Sequence, residues 1–557
     1  MCRRGILHNH AQTKCLDLRL KGSGDRSRVP PTSLCRTYAR GAYGQLFEKI
    51  HDKLSSKSSS KTEVPTDIPS YDQPLDRRTM YQLRMQRGVN LGSWFALEAW
   101  LTGSVFQHAK DPKQSDLDLV SGMKPEEAKK ILEHHWDHFI DDGDWKWMAS
   151  HGISAVRLPI NYVHFVASDS KYSSLLKGTE FASFAEVYQG AWSRIEAAIK
   201  KAASHNIGVL IDLHGAPGGQ NKDAHCGKSD GNVSFFNGIG AGSNRKTTIK
   251  ILVELAAAVA SYENVIGLEL INEPINHSSL EGFYDDAIKA IRSSNSKDAA
   301  RLPLYLGDAW HTRHYAKYVG EHSNAGNPLV MDHHLYRCFT KQDHSTSAED
   351  HAKALDLNNG ETANFLKSIS NQTGGNVIIG EWSSALNPGS LKNSSNKSEA
   401  KKAWGMSQWF AFEQFTAGYF YWTLKKEGGP DPGWCFYTAV EKGVMPQSLN
   451  PLQATRHRSP QELQQACDQA MDPLYKEHCK YWDSRNAKGQ HEGYVQGFRT
   501  AWTDYMSFLQ QGTEPGLTQT LCKLRCASFE SQGHKDAWEF EHGYMQGLKS
   551  FKKLLYQ

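Results

Sequence analysis

The alternation of short apolar runs with longer amphipathic segments constrains the fold of this chain more than any other feature. Segments such as 125–140 and 191–206 repeat apolar residues with the 3.6-residue period of a helix. They separate eight short runs, RGVNLGSWF (87–95), SAVRLPI (154–160), GVLIDLHG (208–215), VIGLELINE (265–273), PLYLGDA (303–309), PLVMDHHLY (328–336), NVIIGEW (376–382) and GYFYWTL (418–424). Eight strand–helix units predict an α/β fold, a (β/α)8 TIM barrel over residues 84–450, and a doubly wound open sheet is the alternative.

Polar residues near the carboxyl ends of these runs favour the barrel. Side chains alternate between the two faces of a strand, so Glu269 and Glu273 share one face while Leu268 and Leu270 take the other. The same count turns further polar side chains toward the barrel axis: Arg157, Asp212, His214, Asp332, His334, Tyr336, Glu381 and Trp422. A TIM barrel builds its active site at this end of its strands.

Two carboxylates stand out among these residues. Glu273 ends the run LINE and Glu381 lies in IIGEW. Hydrolysis of an acetal requires one protonated carboxyl for the leaving oxygen and one carboxylate for the developing oxocarbenium ion. Two glutamates at strand ends of one barrel can converge in this way, so we expect Glu273 and Glu381 to be the catalytic pair.

The segment from about 84 to 448 resembles glycoside hydrolase family 5, and within it the fungal exo-β-1,3-glucanases. The motifs that carry the resemblance occur in the family's order: RGVNLGSWFALEAWL, AVRLPI, IDLHGAPGGQN, IGLELINEP, DHHLYRCF, IIGEW and YWTLK. The resemblance implies a retaining β-glucosidase that releases glucose from glucan. In it Glu273 is the general acid and then the base, protonated in the resting enzyme, and Glu381 is the nucleophile.

The resemblance also implies a set of side chains that bind the substrate: Glu98, Arg157, His214, Asn272, His334, Tyr336, Phe339 and Trp422. Arg157 would keep the nucleophile ionised, because an adjacent cation favours the charged form of a carboxylate. Asn272 would hold the sugar 2-hydroxyl, and Glu98 the hydroxyls of the terminal glucose. Trp422 would lie under the sugar, while Phe339 would be one half of a clamp on the next glucose.

The other half of that clamp is missing. Where the exo-glucanases usually have a Phe shortly after PGSQN, this chain reads PGGQNKDAHCG. The linkage preference therefore stays open between β-1,3-glucan, β-1,6-glucan and a glycolipid glucoside. A noncatalytic carbohydrate-binding barrel is the alternative from another functional class.

Both ends of the chain differ from the barrel. Residues 1–80 are expected to be a mostly disordered extension and linker, with a basic arm in residues 1–40 followed by the Ser-, Lys- and Pro-rich segment 55–74. Residues 456–557 are expected to be helical, because GYVQGF (493–498) and GYMQGL (543–548) each open an apolar pattern at helical spacing. We expect these helices to pack on the barrel's ring of helices, with a glucan-binding module as the alternative.

Charge and composition limit the partners that the sequence predicts. The formal net charge of +4 gives no indication of nucleic-acid binding, and no stretch of eighteen apolar residues predicts a membrane span. The start of the chain lacks the apolar core of a signal peptide, which suggests the cytoplasm, whereas the family resemblance suggests the cell wall or exterior. We expect a monomer whose partner is a β-glucan or β-glucoside.

No metal or other cofactor is expected. Asp332 with His334, and His134 with His138, lack a third ligand at suitable spacing. The four cysteines of the tail fit no CxxC zinc template, so two disulfides and four free thiols are both open: Cys467, Cys479, Cys522 and Cys526.

Overall fold

The computed structural model describes residues 70–454, 458–485 and 491–556, so the greater part of the predicted extension lies outside the described residues. Eight parallel strands close into a barrel in sequence order. They are β1 Gln86–Asn90, β2 Ala155–Asn161, β3 Gly208–Gly215, β4 Val265–Glu269, β5 Leu304–Gly307, β6 Leu329–Leu335, β7 Val377–Trp382 and β8 Gly418–Tyr421. The TIM-barrel prediction is confirmed, and the open sheet is excluded.

Helices precede the barrel, connect its strands and form the tail. Those up to β8 are α1 Arg77–Leu83, α2 Asp116–Ser121, α3 Pro125–His138, α4 Asp142–Ser150, α5 Tyr162–Val166, α6 Ser173–Leu176, α7 Ala185–Tyr188, α8 Ala191–Ser204, α9 Ala241–Val259, α10 Leu280–Arg292, α11 Thr312–His322, α12 Lys341–Ser345, α13 Ala348–Lys353, α14 Glu361–Gln372 and α15 Lys397–Phe415. After β8 come α16 Phe436–Glu441, α17 Pro460–Asp483, α18 Glu492–Gln510, α19 Thr518–Ser531 and α20 Ala537–Leu555. No helix among the described residues is long and apolar enough to cross a membrane.

Helix α3 shows how the sequence specifies these elements. It begins with Pro125 at its first position, where the missing N–H costs nothing, and acidic residues follow in its first turn. Histidines occupy its last turn, where a cation is favoured by the helix dipole. Ala128, Leu132 and Trp136 recur at every fourth position and are buried. This apolar stripe is the face that joins the main hydrophobic cluster around the barrel.

The strand register aligns the polar side chains at one end of the barrel. Asn90 of β1 is paired with Arg157 of β2, and Asp212 of β3 with Glu269 of β4. Farther around, His334 of β6 is paired with Glu381 of β7. Because parallel strands end at the same edge, residues from distant parts of the sequence meet there.

The tail covers the opposite end of the barrel, where the strands begin. The N–H of Met85, just before β1, donates to the carbonyl of Glu514 at 2.8 Å, and Thr520 donates to Asn376, just before β7, at 3.0 Å. Barrel side chains and tail side chains share one buried hydrophobic cluster, including Tyr305 and Phe420. The prediction that the tail packs on the outer ring of helices is therefore wrong. The apolar side chains at the strand starts would be left uncovered without it.

The segment just before the barrel is part of the same packing. Helix α1 begins at Arg77, inside the range expected to be linker, and its Tyr81 and Leu83 are buried. The guanidinium of Arg525 in α19 donates to the carbonyls of Ser70 at 2.7 Å and Gln73 at 2.9 Å. The described chain is thus packed from its first residues.

The repeated tail motif forms a close crossing of α18 and α20. A Cβ added at Gly497 would overlap the carbonyl oxygen of Phe540, and one added at Gly543 would overlap that of Tyr494. Gly497 is the second glycine of GYVQGF, and Gly543 is the first glycine of GYMQGL. Both helices therefore approach through backbone rather than side chains. The tail cysteines form no disulfide among the described residues.

Candidate active site

Glu273 and Glu381 face each other at the carboxyl end of the barrel. Glu381 lies in β7, and Glu273 follows β4 with a φ of 41°, in the left-handed region that is unusual for a residue other than glycine. His334 stands between them: one oxygen of each carboxylate and one nitrogen of its ring all lie within 4.8 Å of one another. The predicted pair is thus brought together around one imidazole.

Glu381 is held by two donors. Arg157 Nη1 donates to its Oε1 at 3.0 Å, and the Tyr336 hydroxyl donates to its Oε2 at 2.9 Å. Burial, Glu381 and Glu273 together raise the pKa of Tyr336 well above its ordinary value, so its hydroxyl keeps the proton it donates. Glu381 is itself almost fully buried. These bonds fix the orientation of the Glu381 carboxylate.

Arg157 of β2 links several strands at the centre of the site. It donates from Nε to Glu269 at 2.8 Å and from Nη2 to Asn272 at 2.7 Å, and it lies 3.1 Å from Asp212. Burial acts to lower the pKa of Arg157, but the surrounding carboxylates outweigh it and raise the pKa well above its ordinary value. Burial raises the pKa of Glu269. The carboxylates outnumber this one guanidinium, which favours a substrate that develops positive charge.

The Glu273 carboxylate is contacted by two histidines, one at each oxygen. Its Oε1 lies 2.7 Å from His334 Nδ1, and its Oε2 lies 3.3 Å from His225 Nε2. Burial acts to raise the pKa of Glu273, but these two partners outweigh it and hold the pKa well below its ordinary value. Despite burial, Glu273 raises the pKa of His225 to about 9. Both contacts oppose the protonated resting state that was expected for Glu273.

His225 is one of the residues that sequence reasoning missed. It lies in PGGQNKDAHCG, the loop after β3 in which the clamp aromatic is missing. The Asn272 amide nitrogen lies 3.5 Å from His225 Nδ1 and 3.5 Å from His214 Nε2. His214 is oriented by Asp212 at 2.7 Å and stacks parallel to Trp422 with 5.7 Å between ring centroids. A histidine near a glycine-rich loop carries no sequence signal of these contacts.

An aromatic rim surrounds the opening. Trp100 Nε1 donates to Glu98 at 2.6 Å, and its ring meets the edge of Trp434 at 5.2 Å. Trp434 also packs against Phe339 at 5.9 Å, and Phe339 is 71% exposed. Burial raises the pKa of Glu98, whose Oε1 is buried without a hydrogen-bond partner among the described residues. Trp100 and Trp434 were not predicted, because loop tryptophans show no periodicity.

The carboxylates of this site do not fit a metal ion. Two sets of His and carboxylate donors converge here, one of them Glu273, His334 and Glu381, the other Glu269, Asp332 and His334. Arg157 already lies at 3.0 Å from Glu381 and 2.8 Å from Glu269. A second cation between them would meet the guanidinium at close range.

Comparisons with known proteins agree with this arrangement. The profile described as cellulase (glycosyl hydrolase family 5) matches residues 126–428, and the one described as glucan 1,3-beta-glucosidase 3 C-terminal domain matches residues 463–555. Glucan 1,3-beta-glucosidase 3 of Schizosaccharomyces pombe is 32% identical over 477 residues, 84% of this chain and 95% of that protein. Uncharacterized glycosyl hydrolase YBR056W of Saccharomyces cerevisiae is 30% identical over 502 residues, 86% of this chain and 93% of that protein.

Among solved structures, the crystal structure of AoRut shares the fold, with a TM-score of 0.50 and 19% identity over 65% of this chain and 97% of that one. The family profile spans more than half of the chain, and a relative above 30% identity covers 84% of it. The chain is therefore a glycosidase and belongs to glycoside hydrolase family 5.

Proposed function

We propose that this protein is a retaining β-glucosidase that acts on glucan ends, an exo-β-1,3-glucanase that releases glucose by double displacement. The observation that carries the proposal is the distance between the paired glutamates, one oxygen of each lying within 4.8 Å of the other. Retaining glycosidases hold their two carboxyl groups about 5–5.5 Å apart, whereas inverting enzymes need about 6.5–9.5 Å to admit a water. The similarity to glucan 1,3-beta-glucosidase 3 of Schizosaccharomyces pombe supports glucan as the substrate.

Each residue has a step in this mechanism. Glu381 attacks the anomeric carbon as the bond to the leaving oxygen breaks, and Glu273 delivers a proton to that oxygen. The proton is drawn from His225 or His334, which hold it in the resting site. Water then adds to the anomeric carbon, the ester bond to Glu381 breaks, and Glu273 accepts the proton of the water. The sugar leaves with its original configuration.

The rim supports action at a chain end. Glu98 Oε1 is buried and has no partner among the described residues, so it is available to a sugar hydroxyl. Trp100 fixes the other oxygen of the same carboxylate. The rings of Trp422 and His214 are parallel to each other, and an aromatic ring in this orientation can pack against the face of one glucose. We propose that Glu98 holds the hydroxyls of the terminal glucose in this place.

Replacing Glu381 tests the mechanism directly. Glu381→Gly is expected to lower kcat/KM on an aryl β-glucoside by about a thousandfold or more, because no covalent intermediate can form. Sodium azide should restore turnover by attacking from the vacated side and should yield the α-glucosyl azide. Glu399→Gly, at an exposed position of α15, is the matched control and should keep wild-type activity. Near-normal hydrolysis by Glu381→Gly, or a β-glucosyl azide, would contradict the assignment.

The missing clamp aromatic favours a second class of substrate, a β-1,6-glucan or a glucosylated lipid. The loop that would carry it presents His225 to the acid/base instead. Losing one aromatic contact with a sugar costs on the order of 1 kcal/mol, roughly a factor of five in preference. We propose a correspondingly weaker preference for laminarin over a β-1,6-glucan or a glucosylated lipid than a two-aromatic clamp would give. Comparing kcat/KM for the three substrates tests this, and a strict preference for laminarin would assign the clamp to Trp434 and Phe339.

Reducing-sugar release from laminarin separates both proposals from a noncatalytic carbohydrate-binding barrel, which would bind glucan without turnover.

A further inference from the structure

Three helices of the tail meet around a cluster of donor atoms that the proposed reaction does not use. His478 lies in the last part of α17, His491 immediately precedes α18, and Glu539 lies in the first turn of α20. All three side chains are buried. One donor atom of each lies within 4.8 Å of the donor atoms of the other two. The cluster is at the barrel end opposite to the paired glutamates, since the tail covers the strand starts.

The outer nitrogen of each imidazole is already held by a neighbour. His478 Nδ1 lies 3.0 Å from Nδ1 of His542, and His491 Nε2 lies 3.4 Å from Asp483 Oδ1. The inner nitrogens face the same carboxylate: His491 Nδ1 hydrogen-bonds Glu539 Oε1, and His478 Nε2 lies 3.5 Å from it. Outer partners of this kind fix the tautomer and the ring orientation of histidines that bind metals.

His478 Nε2 is the atom that points to a missing ligand. It is buried and makes no hydrogen bond to any residue that the structure describes. Buried polar atoms are almost always satisfied, so an unpaired imidazole nitrogen that lies 3.5 Å from a carboxylate oxygen marks a place for a ligand that contacts both.

We propose that His478, His491 and Glu539 bind a divalent transition-metal ion, with Zn²⁺ as the preferred ion. Two imidazole nitrogens and one carboxylate oxygen are ligands of Zn²⁺, and the fourth position is filled by solvent. Tetrahedral Zn²⁺ with bonds of about 2.0 Å separates neighbouring donors by about 3.3 Å. His478 Nε2 lies 3.5 Å from Glu539 Oε1, whereas His491 Nδ1 lies 2.5 Å from the same oxygen, so Zn²⁺ would replace their shared proton and move these two atoms apart. Mg²⁺ and Ca²⁺ prefer oxygen donors throughout. The ion ties the ends of α17, α18 and α20 together.

Metal content of the full-length protein is the first test. The protein is treated with EDTA, incubated with excess ZnCl₂ and passed through a gel-filtration column, and zinc is measured by mass spectrometry. We expect one retained equivalent and a higher Tm than that of the EDTA-treated protein. Co²⁺ should give the intense visible bands of a four-coordinate site. No retained equivalent in the wild-type protein, or bands of a six-coordinate ion, would overturn the proposal.

Variants locate the ion. Glu539→Gln and His491→Gln should each lose the retained equivalent, while the His134→Gln/His138→Gln protein, which lacks a surface histidine pair on α3, should keep it. Asp483→Asn changes only a half-exposed carboxylate that contacts the outer nitrogen of His491, so the variant should fold like the wild type. It should weaken zinc affinity about 10- to 100-fold. Asp472→Asn, an exposed carboxylate on the same helix, is its matched control. Unchanged affinity in Asp483→Asn, or retained zinc in folded Glu539→Gln, would refute the site.

Discussion

At the scale of single residues, the pKa of Glu273 is tuned by contacts rather than by burial alone. Burial would favour a protonated Glu273, yet two imidazoles within hydrogen-bonding reach reverse the direction of the pKa shift. Interacting groups of this kind titrate as a unit, so the pH dependence belongs to the cluster of Glu273, His225 and His334. In the proposed mechanism, the proton for the leaving group is held on an imidazole that contacts Glu273.

His225 gives this tuning a direct test. His225→Asn removes the imidazole that holds a proton up to about pH 9, so the cluster loses its catalytic proton earlier. We expect the basic limb of kcat/KM against pH to move to lower pH, with little change in the acidic limb. Lys222→Gln, an exposed neighbour in the same loop, is the control and should keep the wild-type profile. An unchanged basic limb in His225→Asn would show that His334 alone supplies the proton.

At the scale of elements, glycine positions decide how the two repeated helices approach each other. Gly497 and Gly543 lie where each helix crosses the backbone of the other. The aromatic residues that follow them, such as Trp502 and Phe551, then pack edge to face with 4.7 Å between ring centroids. Each of the two repeated motifs thus supplies a glycine to the same helix crossing.

Gly543→Ala tests the crossing. The added methyl group would overlap the Tyr494 carbonyl, which is backbone and cannot rotate away, so the helices must separate. Overpacking of this kind costs about 1–3 kcal/mol of unfolding free energy, and we expect a lower Tm in thermal unfolding. Gly242→Ala on α9, where a methyl group meets open space, is the matched control and should leave Tm unchanged or slightly higher. A Tm equal to that of the wild type in Gly543→Ala would contradict a close crossing.

At the scale of the whole molecule, the tail and the barrel share one interior. Tyr305 and Phe420 from the barrel lie in the same buried cluster as Phe498 and Leu521 from the tail. Arg87, just inside β1, is paired with Glu413 at 2.7 Å and with Glu514 of the tail. Burial acts to raise the pKa of Glu514, but Arg87 lowers it to about 2, so this ion pair persists at all ordinary pH values.

Truncations separate the roles of the two ends of the chain. Removal of residues 1–69 should give a soluble protein that hydrolyses an aryl β-glucoside at the wild-type rate, because the described packing begins at residue 70. Removal of residues 458–557 should lower solubility and Tm, because it exposes the apolar strand starts, while any folded fraction keeps its kcat. The longer deletion of residues 1–80 removes part of α1 and should also lower Tm. A tail deletion with unchanged Tm but lost binding to insoluble glucan would favour a separate binding module.

The sequence by itself determined the barrel, the end of the barrel at which the chemistry lies, and the paired glutamates. These follow from local periodicity and from strand parity, which depend only on neighbours along the chain. The extension and linker were predicted for residues 1–80, and the part of them before residue 70 remains a prediction.

The tertiary structure alone decided which histidines meet Glu273, where the tail packs, and that His478, His491 and Glu539 converge. Their separations along the chain match no ligand template, because donors at helix ends are brought together by helix crossings rather than by spacing. Contacts of this kind depend on how elements pack, and no local pattern records that.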